Sequence, residues 1–362
     1  MKTILVSLIS DQTIPNVQFI KEKIVDEYLF ISSEAMEKKG ILNWILKATN
    51  LDLEKIQVLT VSPFSYDDVY EVLEKSIQKD TKYLVNLTGG TKIMSLAVND
   101  FFKSLNAEMY YLIGNKSYIK ISPGIKTPIL DLKKNISLSE YLIACGFEIK
   151  KQSDAEFSFE TSTKIFHYFL NSFDKTKDIL PLSFLYSKRG KNIESVNQFE
   201  YLTEYLKRIG FETEKSNQLS KKETKYLTGD WFEEYFYHQL KQLKSIQIDG
   251  VGTGWTIVKN GIPNEFDILF ITEDQLNIIE CKTFIWKDSE ETQTIIGETI
   301  YKADSLKNKL GLFAKTSIVT LSDLSSSRLK DHLQRAQENK ISIYGKTELL
   351  QLNNTLKKLF EC

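Results

Sequence analysis

Along roughly the first third of the chain, short apolar runs alternate with stretches whose apolar residues recur at helical spacing. Each run is short and rich in β-branched and aromatic residues, which is typical of buried strands. The stretches between them predict amphipathic helices. This alternation predicts an α/β domain with a largely parallel sheet and helices on both faces. The predicted strands are Thr3–Leu8, Tyr28–Ile31, Ile56–Val61, Tyr83–Leu87 and Met109–Ile113, and the predicted helical stretches are Val17–Ile24, Glu34–Ala48, Tyr66–Ile77 and Ile93–Leu105.

The remainder of the chain has a different pattern. Residues 133–225 are less regular and predict only two helices, Thr163–Ser172 and Glu200–Ile209, so we interpret most of this segment as a linker with a small helical module. From residue 226 onward the order is helix, three consecutive strands, helix, strand and helix, which is typical of an α/β nuclease. These elements are Tyr226–Leu243, Trp255–Val258, Glu265–Thr272, Leu276–Lys282, Glu298–Leu310, Thr316–Leu321 and Arg328–Gln337. The predicted units are residues 1–140, 141–225 and 226–362.

The charge balance narrows the possible partners. With 47 Lys and Arg against 48 Asp and Glu, the net charge is −1. The chain therefore lacks the global basic signature of a constitutive nucleic-acid-binding protein, and a nucleic-acid substrate would need local basic patches or a metal. The lysine-rich stretch 216–224 predicts a solvated face, with substrate steering as the less favoured alternative.

Cysteine usage and hydropathy indicate the compartment. The three cysteines and three histidines are scattered, which favours neither a disulfide framework nor a zinc or His-rich metal site. No apolar run approaches the length of a membrane span, and the first residues lead directly into a strand-like segment without a cleavage site. We therefore expect a cytoplasmic protein in a reducing compartment, without membrane association.

The stretch NLTGGTKIM, Asn86–Met94, carries the first candidate chemistry. Its two glycines lie at a predicted strand-to-helix turn, where free backbone N–H groups and the helix dipole favour an anion. Glycines allow a bulky group to approach this backbone closely, and Lys92 adds a positive charge. The pattern is not a Walker A loop, because no Gly-Lys-Ser/Thr occurs. The alternative is a helix cap, with Thr91 as the N-cap residue and the glycines shaping a tight turn.

A second polar loop, Ser10–Asn16, follows the first predicted strand. Ligands of parallel sheets bind beyond the carboxyl ends of the strands, at the switch point of the strand order. We therefore expect the two loops to converge on one ligand. The candidate ligand-binding residues are Ser10, Asp11, Gln12, Thr13, Asn86, Thr88, Gly89, Gly90, Thr91 and Lys92.

A third constellation lies in the C-terminal part of the chain, where Asp267 and Glu280 occur on two strands that a hairpin would set side by side. Strand alternation places Glu280 and Lys282 on the same face. Two converging carboxylates would bind a hard divalent cation such as Mg²⁺ or Mn²⁺. A lysine beside them can orient or deprotonate a water and offset charge on a phosphate. Glu233, which follows Gly229 in a G-x-x-x-E pattern on a predicted helix, could reach the same ion.

The alternative for this constellation is a set of salt-bridged surface positions. The apolar neighbours Ile278, Ile279 and Phe284 indicate a buried strand, and burying charged side chains there without a function would be costly. The active-site interpretation is therefore favoured. Cys281, between Glu280 and Lys282, should point away from them, so we interpret it as a core residue rather than a nucleophile.

These residues resemble two known families. Asp267, Glu280-Cys281-Lys282 and the helical Glu233 resemble the PD-(D/E)XK nuclease superfamily, and Tyr301-Lys302 resembles an accessory pair of its RecB-like members. NLTGGTKIM and the Ser10–Asn16 loop resemble the ligand loops of CARF domains, the CRISPR-associated Rossmann fold. A CARF domain followed by a PD-(D/E)XK domain is similar to the ancillary nucleases of type III CRISPR systems. Leu310-Gly311 departs from the Gly-Gly pair expected after the active site.

The resemblance implies a homodimer whose N-terminal domain binds cyclic tetra-adenylate and whose C-terminal domain then cleaves DNA, RNA or both. It implies Glu233, Asp267, Glu280 and Lys282 as catalytic residues. The metal, Mn²⁺ or Mg²⁺, would be held by Asp267, Glu280 and the backbone carbonyl of Cys281. Three alternatives are a ring nuclease that cuts its own ligand, a non-enzymatic sensor that recruits a partner, and a constitutive repair-type nuclease.

Overall fold

A computed structural model describes residues 1–78, 80–122, 127–243, 250–283, 289–307, 310–311 and 314–351. Within the N-terminal part, a seven-stranded sheet has the order β3-β2-β1-β4-β5-β6-β7. Strands β1 to β5 are parallel, and β6 and β7 extend the sheet in antiparallel fashion. The strands are β1 Thr3–Leu8, β2 Glu27–Ser32, β3 Ile56–Thr60, β4 Lys82–Asn86, β5 Glu108–Ile113, β6 Ser117–Ile121 and β7 Leu130–Asp131. The predicted parallel α/β domain is confirmed.

Helices cover both faces of this sheet, and most of them bury apolar residues along one side. They are α1 Ile14–Glu22, α2 Glu34–Lys39, α3 Ile41–Thr49, α4 Tyr66–Ser76, α5 Lys92–Ser104 and α6 Leu138–Ala144. The predicted stretch Glu34–Ala48 is divided into α2 and α3 at Gly40, whose φ of 70° is left-handed. A glycine adopts this conformation without steric cost, so it ends one helix and begins the next.

Glu108 joins three neighbouring strands of this sheet. Its carboxylate lies 2.8 Å from Lys82 Nζ on β4 and 2.9 Å from Lys120 Nζ on β6, and it accepts a hydrogen bond from Tyr110. The hydrogen bonds from Lys82, Tyr110 and Lys120 lower the pKa of Glu108 to about 2.

A pH-dependent contribution to stability follows from this carboxylate. Because the pKa of Glu108 is lower in the folded than in the unfolded chain, its contribution is present at neutral pH and is lost as the pH falls from about 4.5 towards 2. We expect Glu108→Gln to be less stable than the wild type at pH 7, with a difference that shrinks on acidification. Urea unfolding at several pH values measures this, and a pH-independent difference would contradict it.

The second sheet has six strands in the order β13-β12-β11-β10-β9-β8. Strand β9 pairs with β8 and β10 in antiparallel fashion, and so does β10 with β11, whereas β12 is parallel to both β11 and β13. This mixed sheet carries the predicted meander at its centre. The strands are β8 Glu148–Ser153, β9 Val251–Lys259, β10 Ile262–Thr272, β11 Gln275–Lys282, β12 Lys315–Thr320 and β13 Ile341–Tyr344.

The helices of the C-terminal part pack on the faces of this sheet. Helices α7, α9 and α11 share one aromatic-rich cluster with β10 and β11, and α12 and α13 pack on the other face. None of the helices in the described part of the chain is both long enough and apolar enough to cross a bilayer. The helices are α7 Phe159–Asn171, α8 Lys175–Ser187, α9 Glu200–Ile209, α10 Lys221–Lys225, α11 Trp231–Lys241, α12 Ser289–Lys307, α13 Lys330–Glu338 and α14 Lys346–Leu349.

The segment 141–225 is more than a connection in the structure. Its strand β8 forms the edge of the second sheet through pairing with β9, and its helices contribute Phe166, Leu182 and Leu206 to the core around α11. It therefore packs with the C-terminal part. The domain boundaries given above stay a prediction, but the interpretation of this segment as a linker misses its structural role.

The two sheets share a hydrophobic cluster. It combines Phe19 and Ile45 of the N-terminal helices with Trp255, Phe266 and Leu276 of the second sheet. The apolar surface of the second sheet is thereby covered partly by the N-terminal domain of the same chain.

Polar contacts reinforce this junction. The turn between β10 and β11 contains Asp274, a 5% exposed side chain that accepts hydrogen bonds from Gln18 Nε2 (3.0 Å) and from the Ile136 backbone N–H (2.9 Å). Tyr141 donates a hydrogen bond to the Leu310 carbonyl at 3.0 Å. A Cβ at Gly311 would lie 2.7 Å from the Tyr141 hydroxyl oxygen. The second glycine of the expected Gly-Gly pair, which this chain keeps as Gly311, therefore allows Tyr141 to approach closely.

Candidate ligand and active sites

Two polar loops meet at the carboxyl edge of the N-terminal sheet, where β1 and β4 run side by side. The register pairs Ser7 with Asn86, so the loops after both strands leave the sheet at the same point. The strand order reverses between β1 and β4, which makes this edge the switch point of the sheet. The structure thus brings together the two loops that the sequence predicted to converge.

Gly89 is required where the β4 loop crosses the end of β1. A Cβ at this position would lie only 2.2 Å from the carbonyl oxygen of Leu8 and 3.4 Å from Ser10 Oγ. Thr91 follows as the N-cap of α5, because its hydroxyl accepts a hydrogen bond from the Met94 N–H at 3.2 Å. The capping interpretation of Thr91 is therefore correct, and the cap coexists with an N–H-lined turn.

Several candidate ligand residues have structural partners instead of facing outward. The side-chain oxygen of Asn86 accepts from the Thr88 backbone N–H at 3.1 Å, and the Thr88 hydroxyl accepts from the Leu112 N–H at 3.0 Å. Thr13 is buried and donates to the Ala144 carbonyl at 2.7 Å. These three side chains shape the loops and tie them to the sheet and to α6.

Among the other candidates, Asp11, Gln12 and Lys92 are exposed to solvent. Asp11 forms an exposed ion pair with Lys39 at 2.8 Å, and Ser10 and Gln12 lie beside it on the first loop. Lys92, at the start of α5, is exposed and has no ion-pair partner in the described part of the chain. The accessible chemistry at this edge is therefore a free ammonium group, backbone N–H groups and polar side chains, which suits a phosphate-containing ligand.

The candidate catalytic residues Asp267, Glu280 and Lys282 lie on β10 and β11, at the end of the hairpin away from its turn. Its register, with Ile268 opposite Ile279, carries Asp267 to a position opposite Glu280. The ammonium group of Lys282 lies 3.1 Å from Asp267 Oδ2 and 3.5 Å from Glu280 Oε2. One cation thus bridges both carboxylates, which shows that their oxygens converge on a common point.

Glu280 is the most enclosed member of this group, with a side chain that is only 2% exposed. Burial and the neighbouring Asp267 raise its pKa, and Lys282 and Lys302 act against this rise. Lys302 Nζ on α12 lies 3.2 Å from each Glu280 oxygen. Lys302 was part of the accessory pair in the sequence but not of the predicted catalytic set, and its adjacency to Glu280 becomes visible only in three dimensions.

Lys282 is held in its charged form. Burial acts to lower its pKa, but Asp267 and Glu280 together raise it above the usual value. A protonated lysine can orient a water or stabilise negative charge on a phosphate, whereas it cannot accept a proton. Both roles considered from the sequence, the handling of a water and the stabilisation of charge on a phosphate, stay predictions.

The neighbours of these residues have distinct positions. The backbone N–H of Cys281 donates to Asp267 Oδ2 at 2.7 Å, which fixes the orientation of the carboxylate. The Cys281 side chain belongs to the core around α11, as expected for a residue that is not a nucleophile. Tyr301, the other half of the accessory pair, is 59% exposed and contacts Arg335 rather than the carboxylates.

Glu233 and Glu234 are adjacent in sequence but lie in different surroundings. The pKa of Glu233 is raised well above its usual value, first by burial and then by the charge of Asp267, so Glu233 belongs to the same electrostatic group. Glu234 instead accepts hydrogen bonds from the backbone N–H groups of Glu156 and Phe157, both at 2.9 Å. It anchors the loop that borders the site.

The helix that carries these glutamates does not begin as predicted. The predicted single helix Tyr226–Leu243 starts as a π-type turn, Tyr226–Asp230, that is kinked at Gly229, where φ is 155°. The α-helix α11 itself begins at Trp231. Glycine tolerates this left-handed conformation. The kink at Gly229 separates the π-type turn from α11, which carries Glu233 in its first turn.

The donor set is consistent with a hard divalent metal. No group of three or more His, Cys, Asp and Glu side chains in the described ranges is arranged to hold an ion, but Asp267 and Glu280 already share one cationic partner. Carboxylate oxygens are the ligands that Mg²⁺ and Mn²⁺ prefer. Burial first, and then the charge of Asp267, raise the pKa values of Glu233 and Glu280, and an added cation would lower them.

Comparison with known proteins assigns both halves of the chain. Residues 4–141 match the Card1 CARF domain family, and residues 220–362 match the Card1-like endonuclease domain family. No curated protein sequence matches the chain.

Solved structures share the fold over the whole length. Can2 from Sulfobacillus thermosulfidooxidans in complex with cyclic tetra-adenylate has a TM-score of 0.74 at 22% identity, covering 99% of both chains. Protein VC1899 from Vibrio cholerae has a TM-score of 0.76 at 16% identity, covering 99% of this chain and 98% of that one. A type III CRISPR defence DNA nuclease activated by cyclic oligoadenylate has a TM-score of 0.56 at 17% identity, covering 89% of this chain and 45% of that one. With its two matched domains in this order, the chain belongs to the Card1-type proteins, which join a CARF domain to an endonuclease domain.

Proposed function

We propose that the chain is a cytoplasmic, metal-dependent endonuclease that cyclic tetra-adenylate activates in type III CRISPR defence, and that it hydrolyses phosphodiester bonds of DNA, RNA or both. The observation that carries this proposal is the convergence of Asp267 and Glu280 on Lys282 within the endonuclease domain. The accessible loops of the CARF domain in the same chain supply the site for the activator.

Binding of a cyclic tetranucleotide is supported by the chemistry of the loop edge. Phosphates would meet the N–H groups of the Gly89–Gly90 turn and the free ammonium of Lys92. Because such a ring has rotational symmetry, two copies of the same edge related by a twofold axis can hold it. Apolar side chains next to the loops are exposed on this face: Phe64 by 82%, Ile93 by 37% and Leu96 by 56%. Their exposure supports a homodimer, which would bury them against a second copy.

The metal would be held by Asp267, Glu280 and the backbone carbonyl of Cys281. When bound, Mg²⁺ or Mn²⁺ supplies Lewis-acid polarisation of the phosphate and lowers the pKa of a coordinated water. Within the chain, Lys282 stabilises charge on the phosphate, Lys302 holds Glu280 in place, and Glu233 supports the acidic group from α11. The hydrogen bonds of Glu234 hold the loop that contains Glu156 and Phe157 at the border of the site.

The direct test uses purified protein with Mn²⁺ or Mg²⁺ and labelled single-stranded RNA, single-stranded DNA and plasmid, each with and without cyclic tetra-adenylate. We expect cleavage only when the activator is present, and the cleaved species identifies the substrate. Ligand-independent cleavage would retain the nuclease and overturn the activation. A lack of cleavage under every condition would overturn the proposed reaction, and linear adenylate products would reveal a ring nuclease.

Lys92→Ala tests the activator site separately from the nuclease centre. Because Lys92 is exposed and unpaired within the described chain, its removal should leave the fold intact and weaken binding of cyclic tetra-adenylate. A charge-assisted contact of about 1.5–3 kcal/mol corresponds to a loss of roughly 10- to 150-fold in affinity. Calorimetric titration of the ligand measures this, and cleavage at saturating ligand should return towards the wild-type rate. Unchanged affinity would remove Lys92 from the site.

A further inference from the structure

A cleft of about 850 Å³ opens beside the acidic group. Glu233 and Asp267 line it, so it offers a nucleic-acid strand a path to these residues. The lining also includes positively charged residues from α10, from β8 and from the chain after α8, together with the acidic residues Asp154, Glu156, Asp230, Glu234 and Glu265. These basic lining residues are Lys151, Arg189, Lys221, Lys222 and Lys225.

Two of these charges already have acidic partners. Arg189 lies 2.6 Å from Asp230 Oδ1 and also donates to the Lys225 carbonyl at 2.9 Å, which ties it to the turn before α11. Lys222 lies 3.5 Å from Glu156 Oε2. These two side chains stabilise the walls of the cleft and have less charge to offer a substrate.

Lys221 and Lys225 differ from them. They are exposed and, among the residues that the structure describes, neither has a carboxylate within ion-pair distance. Their spacing of four residues places both on the same face of α10. Lys151 on β8 is a third unpaired lysine of the cleft within the same described ranges.

Helix α10 lies close in the chain to the helix that carries Glu233. Helix α10 is joined to α11 by the Tyr226–Asp230 turn, which is kinked at Gly229. Lys221 and Lys225 precede this kink and Glu233 follows it, and all three residues line the same cleft. A nucleic-acid strand carries a phosphate about every 3.4 Å along the axis of a duplex. A strand that lies in the cleft with one phosphate at the acidic group therefore has neighbouring phosphates to present to these lysines.

We propose that Lys221 and Lys225 are positioning residues that bind the phosphodiester backbone of the substrate, with Lys151 contributing from β8. This inference rests on the nuclease function proposed above and adds the substrate path to it. Lysine ammonium groups act on phosphates as point charges without reading bases. The contact therefore supplies affinity and register rather than sequence specificity. For Lys221 this proposal favours the substrate-steering alternative over the solvated-face interpretation of residues 216–224, and Lys225 lies just beyond that stretch.

Binding is tested with the double variant Lys221→Gln/Lys225→Gln, compared with its parent in a Glu280→Gln background that prevents cleavage. The probes are fluorescein-labelled single-stranded DNA, single-stranded RNA and duplex DNA, with cyclic tetra-adenylate present and KCl varied from about 50 to 200 mM. Loss of two phosphate contacts should reduce the slope of log Kd against log salt by about 1.4 for a single strand or about 1.8 for a duplex. The probe that shows this change identifies the strand that the cleft accepts.

Cleavage by the otherwise wild-type enzyme provides the second measurement. We expect the double variant to have a higher KM and an unchanged kcat, and to bind cyclic tetra-adenylate normally. Lys207→Gln on α9 is the matched control, since Lys207 is also an exposed lysine but does not line the cleft, and it should change neither KM nor the salt slope.

The possible failures are distinguishable. An unchanged salt slope and KM in the double variant, with active wild-type enzyme, would overturn the role of the lysines and leave the nuclease function standing. A lower kcat with an unchanged salt slope would also overturn it, because that result indicates a structural effect on the acidic group. Wild-type protein that neither binds nor cleaves any probe would overturn both proposals.

Discussion

Glu280→Gln is expected to abolish cleavage and to leave the binding of cyclic tetra-adenylate unchanged. The substitution keeps the size of a side chain that is 2% exposed, but it removes the charge that faces Lys282 and Lys302. Loss of a partner of a metal ligand typically reduces metal affinity or activity by about 10- to 100-fold. Loss of a proposed ligand itself should therefore reduce the cleavage rate by more than about 100-fold.

The measurement is the initial cleavage rate at saturating activator, together with ligand affinity and the thermal unfolding midpoint of the same preparation. Glu212→Gln is the control, because Glu212 is an exposed glutamate of the same half of the chain outside the cleft. We expect it to cleave at the wild-type rate. If Glu280→Gln cleaves normally, the assignment of the active site is wrong; if it loses both cleavage and ligand binding, the substitution has disturbed the fold.

Gly89→Ala is expected to have the largest effect on the activator site. A methyl group at this position would lie 2.2 Å from the Leu8 carbonyl oxygen. Both atoms belong to the main chain or are fixed to it, so β1 and the β4 loop must separate. Overpacking of this kind costs about 1–3 kcal/mol. When the conformation that binds the ligand carries this whole cost, the affinity for cyclic tetra-adenylate falls by roughly 5- to 150-fold.

The matched control for this substitution is Gly114→Asn. Gly114 lies in the same domain, has a φ of +68° and would have no neighbour within 4 Å of an added Cβ. Asparagine tolerates this left-handed conformation. Calorimetric titration should show weaker ligand binding by Gly89→Ala and normal binding by the control. Equal affinities would show that the loop relaxes without cost, contrary to this interpretation.

The parallel sheet and the acidic hairpin were predictable because each depends on local pattern. Strand alternation and hairpin geometry place Asp267 opposite Glu280 without knowledge of the rest of the fold. The glycine pair likewise follows from its position between a buried strand and an amphipathic helix. In both places the chemistry and the secondary structure are encoded in one short segment, Asn86–Met94 for the glycine pair and Asp267–Lys282 for the hairpin.

Other features depend on partners distant in sequence and escaped prediction. Thr13 and Thr88 looked like ligand groups, but their hydroxyls bond to Ala144 and Leu112. The sequence contains no local sign of these pairings. Strand β8 is rich in Lys and Gln, so it lacks the apolar run that identifies a strand, and its pairing with β9 defines it instead.

The apolar cluster that Phe19 and Ile45 share with Trp255 and Phe266 has a thermodynamic consequence. Neither domain can unfold without exposing apolar surface of the other, so their unfolding equilibria are coupled. A ligand that binds the folded N-terminal edge, as proposed for cyclic tetra-adenylate, would therefore also add, by mass action, to the free energy that protects the endonuclease domain from unfolding. In a cell, the activator would then prolong the lifetime of the enzyme as well as switch it on.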